Sequence, residues 1–199
     1  MPDDRAMSAI CLDIDNVIAR TDEVMRRVIF DFTGGRVKHE YNHIVEFDYH
    51  RCKDANGSSI SVEEWKRIHD LFSEPRYLWQ IQPEPGVQTA LTLISEKFDI
   101  HLATSRLPKA RRTTIEWLDN YNFPSHDLHF LKHGEKHMSL GKFAAAVEDH
   151  YEQAVEFARA GTPAFLLQHP WNRGKPNEVN VRWVDGWEKL TEALLAQRI

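Results

Sequence analysis

The sequence predicts an α/β fold built on a doubly wound parallel sheet, with a small, mainly helical cap inserted after the first strand. Short apolar runs without polar alternation recur along the chain, and such runs are typical of strands buried on both faces of a parallel sheet. From residue 98 onward these runs alternate with helical patterns, which indicates a doubly wound sheet. Between the first run and residue 86 the alternation fails, so we expect an insertion there.

Strands are predicted wherever an apolar run is short and bounded by polar or turn-forming residues. The first run ends in two carboxylates, Asp13 and Asp15, and the others lie in the second half of the chain. The predicted strands span residues 8–15, 98–104, 128–131, 143–147 and 164–167.

Helices are predicted where apolar residues recur with a period near 3.6. Pro108 suits the first turn of one such segment, and Gly161 with Pro163 follows the end of another. The predicted helices of the core span residues 86–97, 108–121, 150–160 and 187–197.

The insertion is predicted to form the cap. It contains a helical stretch at 21–31, a Gly-Gly break, an aromatic middle and another helix after Ser61. The chain is therefore divided into an α/β core of residues 1–17 and 84–199 and a cap of residues 18–83.

Composition and charge limit the classes of function. The 199 residues suit one domain, or one core with a modest insertion. A net charge of −5 offers no extended positive field, so we expect no extended nucleic-acid partner. The two cysteines, Cys11 and Cys52, form neither a disulfide framework nor a metal spacing. The polar, acidic residues 1–7 do not resemble a signal peptide and no segment is long enough to cross a membrane, so we expect a cytoplasmic protein.

Polar residues stand where the predicted strands end. Strand ends of a parallel sheet meet at one edge, where ligands bind. A carboxylate there can attack phosphorus, Mg²⁺ can offset the charge repulsion, and a second carboxylate can transfer protons. A hydroxyl and an ammonium can neutralise the phosphoryl oxygens. The residues in question are Asp13 and Asp15, Thr104, Ser105 and Arg106, a lysine between the third and fourth strands, and Glu148 with Asp149.

These residues, in this order, resemble the four sequence motifs of the haloacid dehalogenase superfamily. The motifs are Asp13-x-Asp15, then Thr104, then a lysine, then Glu148-Asp149. Lys132, Lys136 and Lys142 all lie in the window of the third motif. Lys142 leaves too little chain for a turn and a strand before Asp149, whereas Lys136 allows both, so we expect Lys136 to be the motif residue.

Three further stretches resemble the nucleotidase branch of that superfamily, which is related to the 5′(3′)-deoxyribonucleotidases. They are Ala-Thr-Ser-Arg-Leu-Pro-Lys at 103–109, Val-Glu-Asp-His-Tyr-Glu-Gln-Ala at 147–154 and Pro-Trp-Asn-Arg at 170–173. In that branch an all-helical cap follows the first motif. The resemblance implies Mg²⁺-dependent hydrolysis of a small phosphate monoester, with a (deoxy)nucleoside monophosphate as a candidate substrate.

The resemblance also implies a role for each motif residue. Asp13 would be the nucleophile and a metal ligand, and Asp15 the general acid and base, with its main-chain carbonyl on the metal. Asp149 would complete the magnesium site, with Glu148 as the next candidate. The phosphate would be held by Thr104, Ser105 and Lys136, and Arg106 is a candidate substrate contact. Asn16 stands where many relatives have glycine, a difference expected to affect only the turn.

Substrate selectivity is expected to depend on the cap. Six of its residues are candidates to contact a base or sugar, although for each of them a place in the core of the cap is the favoured interpretation: Phe30, Phe32, Arg36, Tyr41, Tyr77 and Trp79. Arg173, after a strand end, is a weaker candidate. His129, His133 and His137 have the spacing of helical metal ligands, but His129 lies in a predicted strand and Gly134 interrupts any helix, so we expect no zinc site from this trio.

Three other functions are compatible with parts of the pattern. A phosphoaccepting receiver domain uses similar residues, but there the lysine comes last, whereas here the acidic pair 148–149 follows it. A non-catalytic phospho-ligand binding protein on the same fold is a second alternative, although the intact Asp13 and Asp15 argue against lost catalysis. A phosphatase of the same superfamily for sugar or polynucleotide-end phosphates is a third. The oligomeric state is left open.

Overall fold

The computed structural model describes residues 8–197. The prediction that no signal peptide is present rests on residues 1–7, which lie outside this range. Within the described range, none of the helices is both long enough and apolar enough to span a bilayer.

Six parallel strands form one sheet in the described part of the chain, in the order β3-β2-β1-β4-β5-β6. The chain first adds strands on one side of β1 and then crosses to the other side, as a doubly wound fold does. The predicted fold class is therefore confirmed. The strands are β1 (Ser8–Asp13), β2 (Phe98–Thr104), β3 (Asp127–Phe130), β4 (Ala145–Glu148), β5 (Ala164–Leu167) and β6 (Val181–Val184).

Helices cover both faces of the sheet and also occur in the insertion. Those in the insertion are α1 (Thr21–Phe32), α2 (Val62–Phe72) and α3 (Pro75–Leu78). Those that follow are α4 (Val87–Ser95), α5 (Arg111–Asn120), α6 (Lys136–Ser139), α7 (Tyr151–Arg159) and α8 (Gly186–Leu195).

The five predicted strands are present, and the sixth strand was missed. β6 reads Val-Arg-Trp-Val and lies at an edge of the sheet, where Arg182 is exposed. An edge strand is only partly covered, so its sequence lacks the continuous apolar run from which the other strands were predicted. The predicted helix 108–121 also begins later, since Pro108–Ala110 form a single 3₁₀ turn before α5.

The middle of the sheet is buried on both faces, and this fixes the positions of the strand ends. Leu12 on β1 packs in the larger core cluster, whereas the adjacent Cys11 faces a second cluster that includes residues of α7. In the register of the sheet, Asp13 lies beside Ala103 and Leu12 beside Val147. The residues that follow β1, β2 and β4 therefore meet at one edge.

The insertion leaves and rejoins the core at adjacent points. An isolated bridge pairs Ala19 with Pro83. The N–H of Arg20 donates to the carbonyl of Gln82 at 2.8 Å, and the N–H of Glu84 donates to the carbonyl of Ile18 at 2.9 Å. We therefore propose residues 18–83 as the cap, with these paired segments as its base.

Replacing Trp187 by Phe is expected to lower the free energy of unfolding by about 1–3 kcal/mol. The indole N–H of Trp187 donates to the buried carbonyl of Val17 at 2.8 Å, and Phe leaves that carbonyl unpaired. Urea denaturation measures the change. Trp183→Phe is the matched control, because the indole N–H of Trp183 has no acceptor within residues 8–197. Equal losses in the two variants would contradict the role of the hydrogen bond.

Candidate active site

The loop after β1 is shaped by a left-handed residue, Asn16, with φ of 57°. Asparagine tolerates this region better than other non-glycine residues. Its side chain also binds two elements of the site: Nδ2 donates to Oδ2 of Asp149 at 3.1 Å, and Oδ1 accepts from the N–H of Asp22 at 2.8 Å. The expectation that Asn16 affects only the turn is therefore wrong. Its amide connects the loop to the fourth motif.

Three carboxylates converge below this loop. Oxygen atoms of Asp13, Glu148 and Asp149 all lie within 4.8 Å of one another, and the three residues are buried. Burial raises the pKa of Asp149 well above its ordinary value, and the negative charge of Asp13 raises it further. The cluster therefore concentrates negative charge in a region shielded from water.

Lys136, at the start of α6, supplies a positive charge to this cluster. Its Nζ lies 2.9 Å from Oδ1 of Asp13 and 3.0 Å from Oε1 of Glu148, and the side chain is 1% exposed. Burial lowers the pKa of Lys136, but the two carboxylates outweigh this and raise it above its ordinary value. Of the other lysines considered, Lys142 lies instead near Gly161.

The carboxylate cluster fits a hard divalent cation. Three carboxylates and one ammonium leave an excess of negative charge, and Mg²⁺ prefers oxygen ligands of this kind. Lys136 contacts both oxygens of Glu148, at 3.0 and 3.4 Å, but meets Asp13 at Oδ1, which leaves Oδ2 of Asp13 and the carboxylate of Asp149 as the available ligands. The Asp15 side chain is not part of the cluster.

Asp15 instead forms an ion pair with Arg106. The guanidinium donates to it from Nη2 at 2.7 Å and from Nε at 3.1 Å, and the hydroxyl groups of Thr21 and Thr104 also donate. Burial raises the pKa of Asp15, but Arg106 outweighs it and holds the pKa below its usual range. Arg106 also donates to Thr114 at 3.1 Å. Arg106, the candidate substrate contact, is therefore already paired with Asp15, the predicted general acid and base.

The two hydroxyl residues after β2 differ in their surroundings. Thr104 is fully buried, and its Oγ1 accepts from the N–H of Arg106 at 3.1 Å. Ser105 lines the cavity described below, and its buried Oγ has no hydrogen-bond partner within residues 8–197. A buried hydroxyl without a partner is costly, and an anion in the cavity would supply one.

A cavity of about 560 Å³ lies over these residues. Asp13, Asp15 and Asp149 line it from the sheet edge, with Trp171 from the loop after β5. The insertion supplies a wall of apolar and aromatic residues together with polar and charged ones: Met25, Phe47, Tyr49, Trp65, His69, Phe72 and Leu78, and Thr21, Asp48, Lys66, Asp70 and Ser73.

None of the six cap residues considered from the sequence is among the described residues that line this cavity. Phe30 and Trp79 are more than two-fifths exposed, and Arg36 pairs with Glu64. Arg173 is also exposed, and its neighbour Trp171 lines the cavity instead. The sequence alone could not distinguish the cap residues that line the cavity from those that do not. Phe47 and Tyr49, for example, lie in an irregular stretch in which apolar residues do not recur at a fixed spacing.

Two aromatic residues of the cap wall are held in place. The rings of Tyr49 and Trp65 stack with centroids 5.2 Å apart. The Tyr49 hydroxyl donates to Oδ1 of Asp22 at 2.8 Å. Trp65 lies on α2, whose start is fixed by a capping box in which Ser61 and Glu64 bind each other's backbone N–H groups. The wall is therefore a preformed aromatic surface.

The three histidines spaced by four residues lie in different surroundings. His133 stacks on Phe47 with ring centroids 5.6 Å apart, and His137 lies 3.3 Å from Glu156. His129 lies instead on β3, beside His101 of β2.

A chain of hydrogen bonds connects the cap to the loop after β1 through His169. The Tyr41 hydroxyl lies 2.9 Å from Nδ1 of His169, and Nε2 of His169 lies 2.9 Å from the carbonyl of Asn16. A carbonyl only accepts, so the proton is on Nε2 and Nδ1 accepts from Tyr41. Burial lowers the pKa of His169 to about 4, which keeps the ring neutral near pH 7.

Replacing His169 by Gln is expected to reduce the fall in the free energy of unfolding that occurs as the pH is lowered. Because the folded pKa of about 4 lies below the reference value of 6.5, the unfolded chain binds a proton first, and stability falls as pH falls from 6.5 towards 4. Protonation of His169 in the unfolded chain alone lowers the free energy of unfolding by about 2 kcal/mol between pH 7 and pH 5. Urea denaturation at both pH values measures it. An unchanged pH dependence in the variant would show that His169 is not the group responsible.

Comparison with known proteins gives relatives at low sequence identity. No family model matches the chain. A protein of Staphylococcus epidermidis named "Putative 5'(3')-deoxyribonucleotidase" is 24% identical over 187 residues, which cover 91% of this chain and 92% of the relative. A protein of Halalkalibacterium halodurans named "Putative nucleotidase" is 24% identical over 155 residues, which cover 71% of this chain and 77% of the relative.

Solved structures share the fold at low sequence identity. A haloacid dehalogenase-like hydrolase from Streptococcus pneumoniae aligns with a TM-score of 0.63 at 12% identity, over 94% of this chain and 98% of that one. Protein tyrosine kinase A of Mycobacterium tuberculosis aligns with a TM-score of 0.71 at 18% identity, over 96% of this chain and 99% of that one. At such identities the alignments show the fold alone. The chain is therefore similar over most of its length to two proteins named as nucleotidases, and it shares the fold of haloacid dehalogenase-like hydrolases.

Proposed function

We propose that the protein hydrolyses a small phosphate monoester through an aspartyl-phosphate on Asp13. The observation that supports this most directly is the position of the Asp13 carboxylate. It lines the cavity, while Lys136 holds one of its oxygens at 2.9 Å and Asp149 lies beside it. A carboxylate that is oriented by an ammonium and open to a cavity is suited to attack phosphorus.

The same cluster is proposed to hold Mg²⁺. Asp13 and Asp149 would supply carboxylate oxygens, and Asp15 its main-chain carbonyl. When bound, the cation would neutralise the repulsion between the nucleophile and the phosphate. Lys136 and Asn16 keep the two carboxylates in position through Oδ1 of Asp13 and Oδ2 of Asp149.

Two successive displacements complete the reaction. An Asp13 oxygen forms a bond to phosphorus while the ester P–O bond breaks, and the leaving oxygen takes a proton from Asp15. Asp15 then takes a proton from water, the water oxygen bonds to phosphorus, and the Asp13–phosphorus bond breaks. The products are the alcohol and inorganic phosphate, and Asp13 and Asp15 return to their starting states.

Arg106 is proposed to control when Asp15 carries a proton. In the structure the guanidinium favours the ionised carboxylate, which cannot act as an acid. A phosphate that enters near Ser105 would compete for the same guanidinium. As Arg106 turns towards the phosphate, the main influence that lowers the pKa of Asp15 would be lost, and burial, the largest influence, would raise that pKa, so that substrate binding itself would prepare the proton donor.

A nucleoside monophosphate is the proposed substrate class. The cavity volume of about 560 Å³ lies within the range for small-molecule sites. Its cap wall carries the stacked pair Tyr49 and Trp65, and aromatic rings bind bases by stacking. The names of the two curated relatives support the same class. We also keep a cytoplasmic location as a prediction.

Two alternatives remain distinguishable by experiment. A phosphatase for sugar or polynucleotide-end phosphates would retain the Asp13 chemistry without a need for base stacking. A non-catalytic phospho-ligand binding protein would bind phosphate esters and release no phosphate. The intact carboxylates at positions 13 and 15 favour catalysis over the second alternative.

Asp13→Asn is expected to lower kcat for phosphate release by at least roughly a thousandfold, and Asp15→Asn by about 10²- to 10⁴-fold. The measurement is phosphate release from a panel of nucleoside monophosphates and sugar phosphates, with Mg²⁺ and with a chelator. Asp48→Asn is the matched control, because Asp48 lines the same cavity outside the cluster. Full activity in Asp13→Asn, or equal activity with the chelator, would refute the mechanism.

Trp65→Leu is expected to lower kcat/KM for nucleoside monophosphates roughly five- to hundredfold, since stacking on one base contributes about 1–3 kcal/mol. The value for glycerol phosphate, which has no base, is expected to change little. Trp65→Phe retains a ring and should recover most of the loss. Trp79→Leu changes an exposed cap tryptophan outside the cavity and serves as control. A parallel loss on both substrates would point to a folding defect and against base recognition.

A further inference from the structure

Three side chains capable of binding a metal meet on one face of the sheet, at the edge formed by β2 and β3. His101 of β2 lies in register with Asp127 of β3. Side chains alternate along a strand, so Asp127 and His129 point to the same face. His101, Asp127 and His129 therefore form a cluster, which is only partly buried.

The distances within this cluster match those of a tetrahedral metal site. Nδ1 of His101 lies 3.2 Å from Nε2 of His129, and that nitrogen lies 3.4 Å from Oδ2 of Asp127. One ligand atom from each residue lies within 4.8 Å of the other two. For metal–ligand bonds near 2.0–2.1 Å, adjacent ligands of a tetrahedral ion are about 3.3 Å apart. Two of the three spacings thus already have the required length.

Both short contacts of the cluster share one atom, Nε2 of His129. Nε2 of His129 faces both an imidazole nitrogen and a carboxylate oxygen, and a neutral ring nitrogen either donates one proton or accepts one. A cation would take a lone pair from all three atoms.

Neighbouring groups orient the carboxylate of Asp127 towards the cluster and keep His126 from acting as a ligand. Oδ1 of Asp127 accepts from the N–H of Leu128 at 2.9 Å, so Oδ2 is left to face His129. In His126, Nδ1 accepts from the N–H of Ile100 at 2.9 Å, so its proton is on Nε2, which lies 3.2 Å from Asp99. His126 is therefore occupied by other partners and is not a fourth ligand.

We propose that His101, Asp127 and His129 form a site for a divalent transition-metal ion such as Zn²⁺, separate from the carboxylate cluster. Imidazole nitrogens suit zinc, whereas Mg²⁺ prefers oxygen ligands. The site connects the edge strand β3 to β2 and leaves the fourth coordination position to water or an external ligand. The proposal does not depend on the phosphatase mechanism, because no proposed catalytic residue is a ligand here.

The test is calorimetric titration of chelator-treated, dialysed protein with Zn²⁺ in excess Mg²⁺, so that the carboxylate cluster is already supplied. One zinc ion per chain is expected to bind. His101→Gln and His129→Gln should each weaken binding at least roughly tenfold, because even the loss of an outer-shell partner costs 10- to 100-fold. Asp127→Asn should weaken it in the same direction. The absorption spectrum of bound Co²⁺ should indicate a four-coordinate site.

His137→Gln is the matched control, since His137 belongs to the histidine trio spaced by four residues but lies on α6, beside Glu156. It should bind zinc as the wild type does. A thermal scan gives a second measure: Zn²⁺ should raise the Tm of the wild type and not that of His101→Gln, because a ligand that binds only the folded state stabilises it. No zinc binding by the wild type would overturn the proposal, and so would unchanged binding in His101→Gln.

Discussion

The ion pair that Lys136 forms with Asp13 and Glu148 is the interaction on which the rest of the site depends. It joins α6 to the ends of β1 and β4 in a region with almost no water access. Loss of one partner from such a buried pair costs about 3–5 kcal/mol, because a charge is left uncompensated. The ammonium fixes one oxygen of Asp13 and also binds Glu148, so that one positive charge is shared by two carboxylates, and Asp149, bound by the neutral amide of Asn16, adds further negative charge.

The sequence was sufficient for five of the six strands in the described part of the chain and for the convergence of the motif residues at one edge of the sheet. Strands buried on both faces must be apolar runs, and parallel strands must bring Asp13, Thr104 and Asp149 to one edge. Contacts that depend on side-chain direction were beyond it. The amide of Asn16 reaches Asp149, and Arg106 pairs with Asp15. Neither spacing nor composition encodes these contacts, because each depends on how a loop turns after its strand.

The loop after β5 has a larger part in the site than its sequence indicated. Trp171 and Asn172 both donate to the main-chain carbonyl of Asp149, at 3.1 and 2.9 Å. His169, at the start of the same loop, binds the carbonyl of Asn16 and the hydroxyl of Tyr41 in the cap. One loop therefore connects both acidic strand ends and the cap, so a displacement of the cap at Tyr41 acts on the backbone next to Asp15.

The paired segments at the base of the cap have an evolutionary consequence. Since residues 18–20 and 82–84 are hydrogen-bonded neighbours, the sheet constrains only the distance between these two points and not the length of chain that joins them. Lengthening such a surface excursion adds little loop-closure entropy. The outer part of the segment can thus be shortened, extended or replaced over generations while Thr21, Asp22 and Tyr41, which contact the loops at the sheet edge, are kept. New specificities can arise by exchange of one module, without a search through the interior of the protein.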